Sequence, residues 1–121
     1  MYRSASTVMP DDDRDARAAL TTIFFLLIEG QTGAWHRVPS DEVWHFHEGE
    51  PLALTWADAD GANALTQVLG PVGADQMLVA VVPAGCWQTA RPRRSGAYTL
   101  VGCTVAPGFA YADVQCDHLP Q

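Results

Sequence analysis

From position 21 onward the chain is a succession of short runs, each wholly apolar or apolar at every second residue, separated by Gly, Pro and Asp. Runs of that length and period are the pattern of β-strands. They cover 21–28, 33–38, 42–47, 52–57, 64–69, 76–82, 86–90, 96–105 and 109–114, and predict about nine strands. In the fourth run Leu52, Leu54 and Trp56 alternate with Ala53 and Thr55, so these three share one inward face. Asp58-Ala59-Asp60-Gly61 predicts a hairpin turn, and Pro83-Ala84-Gly85 a tight corner in which the glycine takes positive φ. No stretch keeps a helical period over three turns. Strands with no helices to cover them bury their faces on one another, so a jelly roll or closed barrel is expected. Trp35, Trp44, Trp56 and Trp87 fall on four of these runs, and in a domain this small some of them share one interior as core filler. Positions 1–20 are polar, with Pro10, three consecutive aspartates, then Arg14, Asp15 and Arg17. They predict a flexible N-terminal arm with one helical turn near 16–20, leaving 21–121 as the barrel domain.

Size and charge narrow the function. The chain has 121 residues and 48% hydrophobic side chains, enough for one packed domain and no second one. Seven basic against fourteen acidic residues give a formal charge of −7, so the phosphate-neutralising surface of a nucleic-acid binder is missing. The longest apolar stretch, 23–28, is far short of the roughly 20 residues that cross a bilayer. Asp11, Asp12 and Asp13 stand where a signal peptide would be apolar, which leaves the cytoplasm as the expected location. Cys86, Cys103 and Cys116 are an odd count without CxxC spacing, so they are expected as reduced core thiols.

The chemistry-bearing residues concentrate in GQTGAWHRVPSDEVWHFHEG, positions 30–49. Gly30, His36, Glu42 and Gly49 stand at the spacing of the first cupin motif, with Val38 where that motif has a second His. Pro83, Gly85 and Gln88 stand at the spacing of the second, with Gln in place of His. The chain thus resembles the cupin superfamily, and through AWHRVPSDEVWHFHEG, VVPAGCWQTARP and TLVGCTVAPGF its type 5 branch, whose members are similar in fold to sugar-nucleotide epimerases. The resemblance implies an all-β, single-domain cupin jelly-roll barrel with a pocket inside. Relatives of the branch usually carry a further segment before the Tyr-Arg-Ser found here at positions 2–4, so a strand that closes the barrel or builds the dimer is expected to be missing. Where relatives often have Tyr in the first strand, this chain has Phe24.

Strand alternation points His36 and Val38 together, and Glu42, Trp44 and Phe46 together, with His45 and His47 on the opposite face as surface or interface residues. A cupin metal needs three imidazoles and a carboxylate; His36, Glu42 and Gln88 would hold a divalent ion only weakly, and no bound cofactor is expected. Without metal the same three residues form an acid–base device. Glu42 orients His36, which moves the proton, and Gln88 donates to a carbonyl or enolate oxygen. Trp44, Trp87, Phe46, Phe24, Val38 and Arg37 are the candidate substrate-binding residues around them. The bland alternative is a hydrogen-bonded structural histidine with Glu42 as its buried partner.

Three functions stay open: a cofactor-independent isomerase, epimerase, cyclase or lyase acting on a small metabolite or sugar; a non-catalytic small-molecule-binding barrel; and a weakly metal-binding metallo-cupin. Arg91, Arg93 and Arg94 read as a solvated loop, with an anion-binding role at the barrel mouth as the minority alternative. Tyr98 and Tyr111 are the phenols on predicted strands, and parity leaves open which of them faces the pocket. Exposed sheet edges, together with the branch resemblance, imply a homodimer.

Overall fold

A computed structural model describes residues 1–28 and 34–116. Thirteen strands run in chain order: β1 (Tyr2–Arg3), β2 (Thr7–Val8), β3 (Arg17–Ala18), β4 (Thr21–Ile28), β5 (His36–Arg37), β6 (Asp41–Gly49), β7 (Leu52–Ala57), β8 (Leu65–Leu69), β9 (Gln76–Met77), β10 (Val79–Val82), β11 (Trp87–Pro92), β12 (Tyr98–Ala106) and β13 (Gln115–Cys116). They build a five-stranded sheet, β1-β4-β12-β6-β10, and a six-stranded sheet, β13-β5-β11-β7-β8-β9, beside the small pair β2-β3. The chain is a single-domain, all-β jelly roll. No helix among the described residues is long and apolar enough to cross a membrane.

Alternation decides which side chains enter the space between the sheets. Leu27, Trp44, Val101, Cys103, Ala80 and Val82 come from the first sheet, and Leu52, Leu54, Leu69 and Ala90 from the second; together they form one buried cluster. Ile23, Phe46, Trp56 and Cys86 pack against its margin. The central strand β12 pairs with β4 along one side and β6 along the other. A bulge in β6 makes its register step from Phe46 to Glu48 against Val101 and Leu100, so His47 is left over and its ring lies across Gly102. A Cβ on that glycine would stand 2.7 Å from His47 Nε2.

Both expected turns form. Gly61 and Gly85 take φ of 84° and 81°, and Asp41 Oδ1 accepts the Ala84 N–H at 2.8 Å to brace the second corner. Three expected strands are redrawn, and of the run 33–38 only His36–Arg37 is strand among the described residues. The run 76–82 splits at Leu78, because β9 pairs with β8 in one sheet and β10 with β6 in the other. The run 109–114 is not a strand: after β12 the chain makes a one-turn 3₁₀ helix, Tyr111–Asp113, and then β13 pairs with β5.

Positions 1–20 differ most from expectation. They contain no helical turn, and they lie against the barrel. β1 pairs with β4, and β2 with β3. The guanidinium of Arg17 grips both oxygens of Asp113 at 2.7 and 2.9 Å. Arg14 donates to Ser40 Oγ at 2.9 Å and to the Pro39 carbonyl at 3.1 Å. A paired carboxylate and two side-chain anchors outweigh the polar composition that predicts a free arm.

Candidate functional site

At the end of the jelly roll where β4 and β6 begin and β12 finishes, the sheets part around a cavity of about 360 Å³. Thr21, Ile23 and Phe25 reach it from β4, Glu42 and Trp44 from β6, Cys103 and Val105 from β12, and His36 and Val38 from β5 and the residue that follows it. Phe109, Tyr111 and Val114 line it from the segment around the 3₁₀ helix, and Met1 adds a wall from the arm. The surface is mainly hydrocarbon, and its polar groups are few and clustered.

Two of those groups, Trp44 and Glu42, are joined through Gln88 by a chain of hydrogen bonds. The indole N–H of Trp44 donates to Gln88 Oε1 at 2.9 Å, and Gln88 Nε2 donates to Glu42 Oε1 at 2.9 Å. An indole can only donate, so it fixes the amide with its oxygen toward Trp44 and its nitrogen toward the carboxylate. Gln88 is 1% exposed and lies behind Glu42. Burial pushes the Glu42 carboxyl above the usual carboxylate range, while the charge of His36 and hydrogen bonds from Gln88 and the Cys103 thiol act the other way. Burial, then the charge of Glu42 and the hydrogen bond to it, push the Cys103 thiol up in turn. His36 Nδ1 meets the Ala34 carbonyl at 3.2 Å, which leaves Nε2 as the other ring nitrogen available for exchange.

A three-imidazole metal site does not fit these residues. Val38 offers no donor atom, Gln88 presents its N–H to Glu42, and its oxygen is taken by Trp44. Among the described residues no group of three or more His, Cys, Asp or Glu is placed to hold an ion.

The candidate residues sort by strand parity. His36, Glu42, Val38 and Trp44 line the cavity, and Gln88 stands directly behind it. Phe46 is on the same inward face but one repeat deeper, against the core and outside the lining. Phe24, Arg37 and Trp87 are corrections, since each is next in sequence to an inward residue and so points to the other side of its sheet. Phe24 is 78% exposed and packs on His47, with ring centroids 5.4 Å apart. Trp87 donates its indole N–H to the Ala59 carbonyl at 3.1 Å. Arg37 lies over the Trp87 ring, 4.8 Å from its centroid, and bonds Gln115.

Of the two phenols, Tyr111 is the one at the cavity, on its rim, whereas Tyr98 donates to Glu48 at 2.7 Å at the opposite end. At that opposite end Arg93 faces Asp75 and Arg94 faces Glu50, so neither reaches the mouth. His45 and His47 line a shallow outer depression with Phe24, Gly102 and Thr104. Among the lining residues that sequence reasoning misses, Cys103 is the one whose thiol bonds Glu42; its place two residues from Val101 and Val105 on an alternating run is the signal that finds it. Cys116 is exposed and Cys86 half-buried, so only Cys103 is a core thiol. The motif residue Gly30 lies outside the described residues.

Comparisons with known proteins agree with this architecture. A protein from Shewanella oneidensis is 32% identical, with a TM-score of 0.81 over 96% of this chain and 70% of that one. A hypothetical protein from Leishmania major is 30% identical, with a TM-score of 0.82 over 95% and 73%. A dTDP sugar isomerase from Desulfovibrio desulfuricans shares the fold at 11% identity, with a TM-score of 0.67 over 94% and 73%. No curated protein matches. The family described as cupin superfamily (DUF985) matches residues 1–116, and the chain belongs to that family.

Proposed function

We propose that the cavity carries out acid–base chemistry on a small organic molecule, of the isomerase, epimerase, cyclase or lyase kind, without a bound cofactor. The observation that supports this is a carboxyl group, Glu42, buried in a hydrocarbon chamber and held above its ordinary range next to His36. A carboxyl that burial makes keep its proton above the ordinary range can give that proton up and take it back, and an imidazole on the same cavity wall completes an acid–base pair. Gln88 acts as a positioning residue in this scheme. Its two bonds hold Glu42 and Trp44 in place, and it sits behind the wall and not on it. The fold likeness to a dTDP sugar isomerase is compatible with such chemistry, although fold alone assigns no reaction.

A second reading, a carrier or sensor that binds without turnover, draws on Val38, which puts an aliphatic group where the motif has a second imidazole. Exchange of carbon-bound hydrogen for deuterium, followed by mass spectrometry over a panel of carbonyl compounds in heavy water, separates the two. The acid–base reading expects incorporation that falls ~10²–10⁴-fold in both Glu42→Gln and His36→Ala. Incorporation unchanged in both variants removes it.

The working form in this proposal is a cytoplasmic homodimer. The outer face of β4, β12, β6 and β10 presents Phe24, Leu26, Leu100, Val43, Val79 and Val81 around His45 and His47, with the carboxylates Asp41 and Glu48 at the two ends of β6. On a chain of charge −7 this is the surface on which a second copy meets the least repulsion.

A further inference from the structure

The chain has no lysine, and its seven basic residues are all arginines: Arg3, Arg14, Arg17, Arg37, Arg91, Arg93 and Arg94. None of them lines the cavity. Arg14 and Arg17 are engaged with Ser40 and Asp113, and Arg37 covers Trp87. Arg93 and Arg94 face acids at the far end. Arg91 points out from β11, and Arg3, exposed on β1, turns its guanidinium to the Met1 Sδ at 3.9 Å outside the lining. Because every arginine of the sequence is described, no undescribed residue can bring a guanidinium to the cavity. The other common phosphate cradle, a helix N-terminus, is also lacking here, since the helix at the cavity is a single 3₁₀ turn of three residues.

An anion entering the cavity would therefore leave water for hydrocarbon with the Glu42 carboxyl in the wall beside it. A cation meets a weak site: the carboxyl that would pair with it, Glu42, is buried, and burial favours its neutral form. Beyond it the wall offers the Thr21 and Tyr111 hydroxyls and the His36 ring among hydrocarbon, too few oxygens to replace a hydration shell.

We infer that the cavity selects an uncharged, largely apolar small molecule whose single carbonyl or hydroxyl meets His36 and Glu42, and that it excludes phosphorylated and nucleotide-linked metabolites. The inference rests on reading this cavity as the reaction site. A volume of about 360 Å³ suits a molecule the size of a bicyclic ring.

The test uses one ring frame in three charge states, namely naphthalene methanol, naphthoate and naphthylmethylammonium, together with thymidine diphosphate. Each is titrated into the whole chain at neutral pH by calorimetry. The alcohol is expected to bind at one site at least ~10-fold more tightly than either ion, and thymidine diphosphate at about 1 mM is expected neither to bind nor to displace it. Val114→Trp, and Val38→Phe as a second filler, are each expected to weaken the alcohol by at least ~10-fold with an unchanged circular dichroism spectrum. Tighter binding of either ion, displacement by thymidine diphosphate, absence of alcohol binding, or binding indifferent to both folded fillers overturns the inference. If deuterium exchange is absent while the preference for the alcohol holds, the catalytic reading fails and the ligand class stands; exchange on a phosphorylated compound removes the ligand class and leaves the catalytic reading in place.

Discussion

Glu42 is an acid placed where its charged form is expensive. Its folded value lies above that of an unfolded chain, so its stabilising contribution is complete at low pH and is lost as the pH rises through the folded value. The denaturation midpoint of the wild-type protein is accordingly expected to drop as the pH rises above the ordinary carboxylate range, and Glu42→Gln, which mimics the protonated group, should flatten that slope. A wild-type slope that Glu42→Gln leaves unchanged contradicts the assignment. Gln88→Ala acts through its neighbours: it strands a buried indole N–H and a buried carboxyl and opens a gap. It is expected to cost about 2–4 kcal/mol in urea unfolding. A loss much smaller than that would mean that water or Cys103 replaces the amide.

Whole strands obey simpler rules than single residues, and the sequence is most legible here. The pattern predicts β4 and β7 to the residue, because eight and six consecutive positions carry an unbroken apolar or alternating run. Placing His36, Val38, Glu42 and Trp44 in one hollow follows from parity within β6 and around β5 together with motif spacing. Parity also explains the misplacements: Phe24, Arg37 and Trp87 are candidates by their chemistry although each neighbours an inward residue, and a strand cannot turn two adjacent side chains to one side. The arm departs from its pattern for another reason. Its anchors join Arg17 to Asp113 and Arg14 to Ser40, partners far away in the chain that local composition does not reveal. The Arg17 guanidinium holds the Asp113 carboxyl below its usual range, so docking of the arm is complete above the ordinary carboxylate value and fades as the pH falls through the folded one. Asp113→Asn is expected to speed tryptic cleavage after Arg14 and Arg17 several-fold at neutral pH, and cleavage at the wild-type rate would show that β1 and β2 hold the arm without it.

At the scale of the molecule, the largely apolar outer face of the first sheet is the contact that the proposed homodimer would use. Four strands at ~4.8 Å spacing and about seven residues of ~3.4 Å each give a flat area of roughly 450 Å². Side-chain relief brings that toward the ~800 Å² per partner of a standard interface. Phe24→Glu with Leu26→Glu is expected to give a monomer in sedimentation while leaving the cavity intact, since both point away from it; a dimer that persists places the interface elsewhere. Gly102→Ala is a milder probe of the same face. Its methyl displaces only the far end of the His47 ring, so a weakened dimer with unchanged folding is the expected result. The same sheet is held together by β12, which pairs with both β4 and β6 and carries Cys103 at its inner face, 3% exposed and with its thiol held above the usual range. Alkylating reagents attack the thiolate, and Cys103 stands on the cavity wall with its thiolate disfavoured, so a small reagent reaches it through the cavity. The rate of its capture is therefore a natural gauge of whether that chamber is filled, read from the unmodified chain without any dye or engineered label.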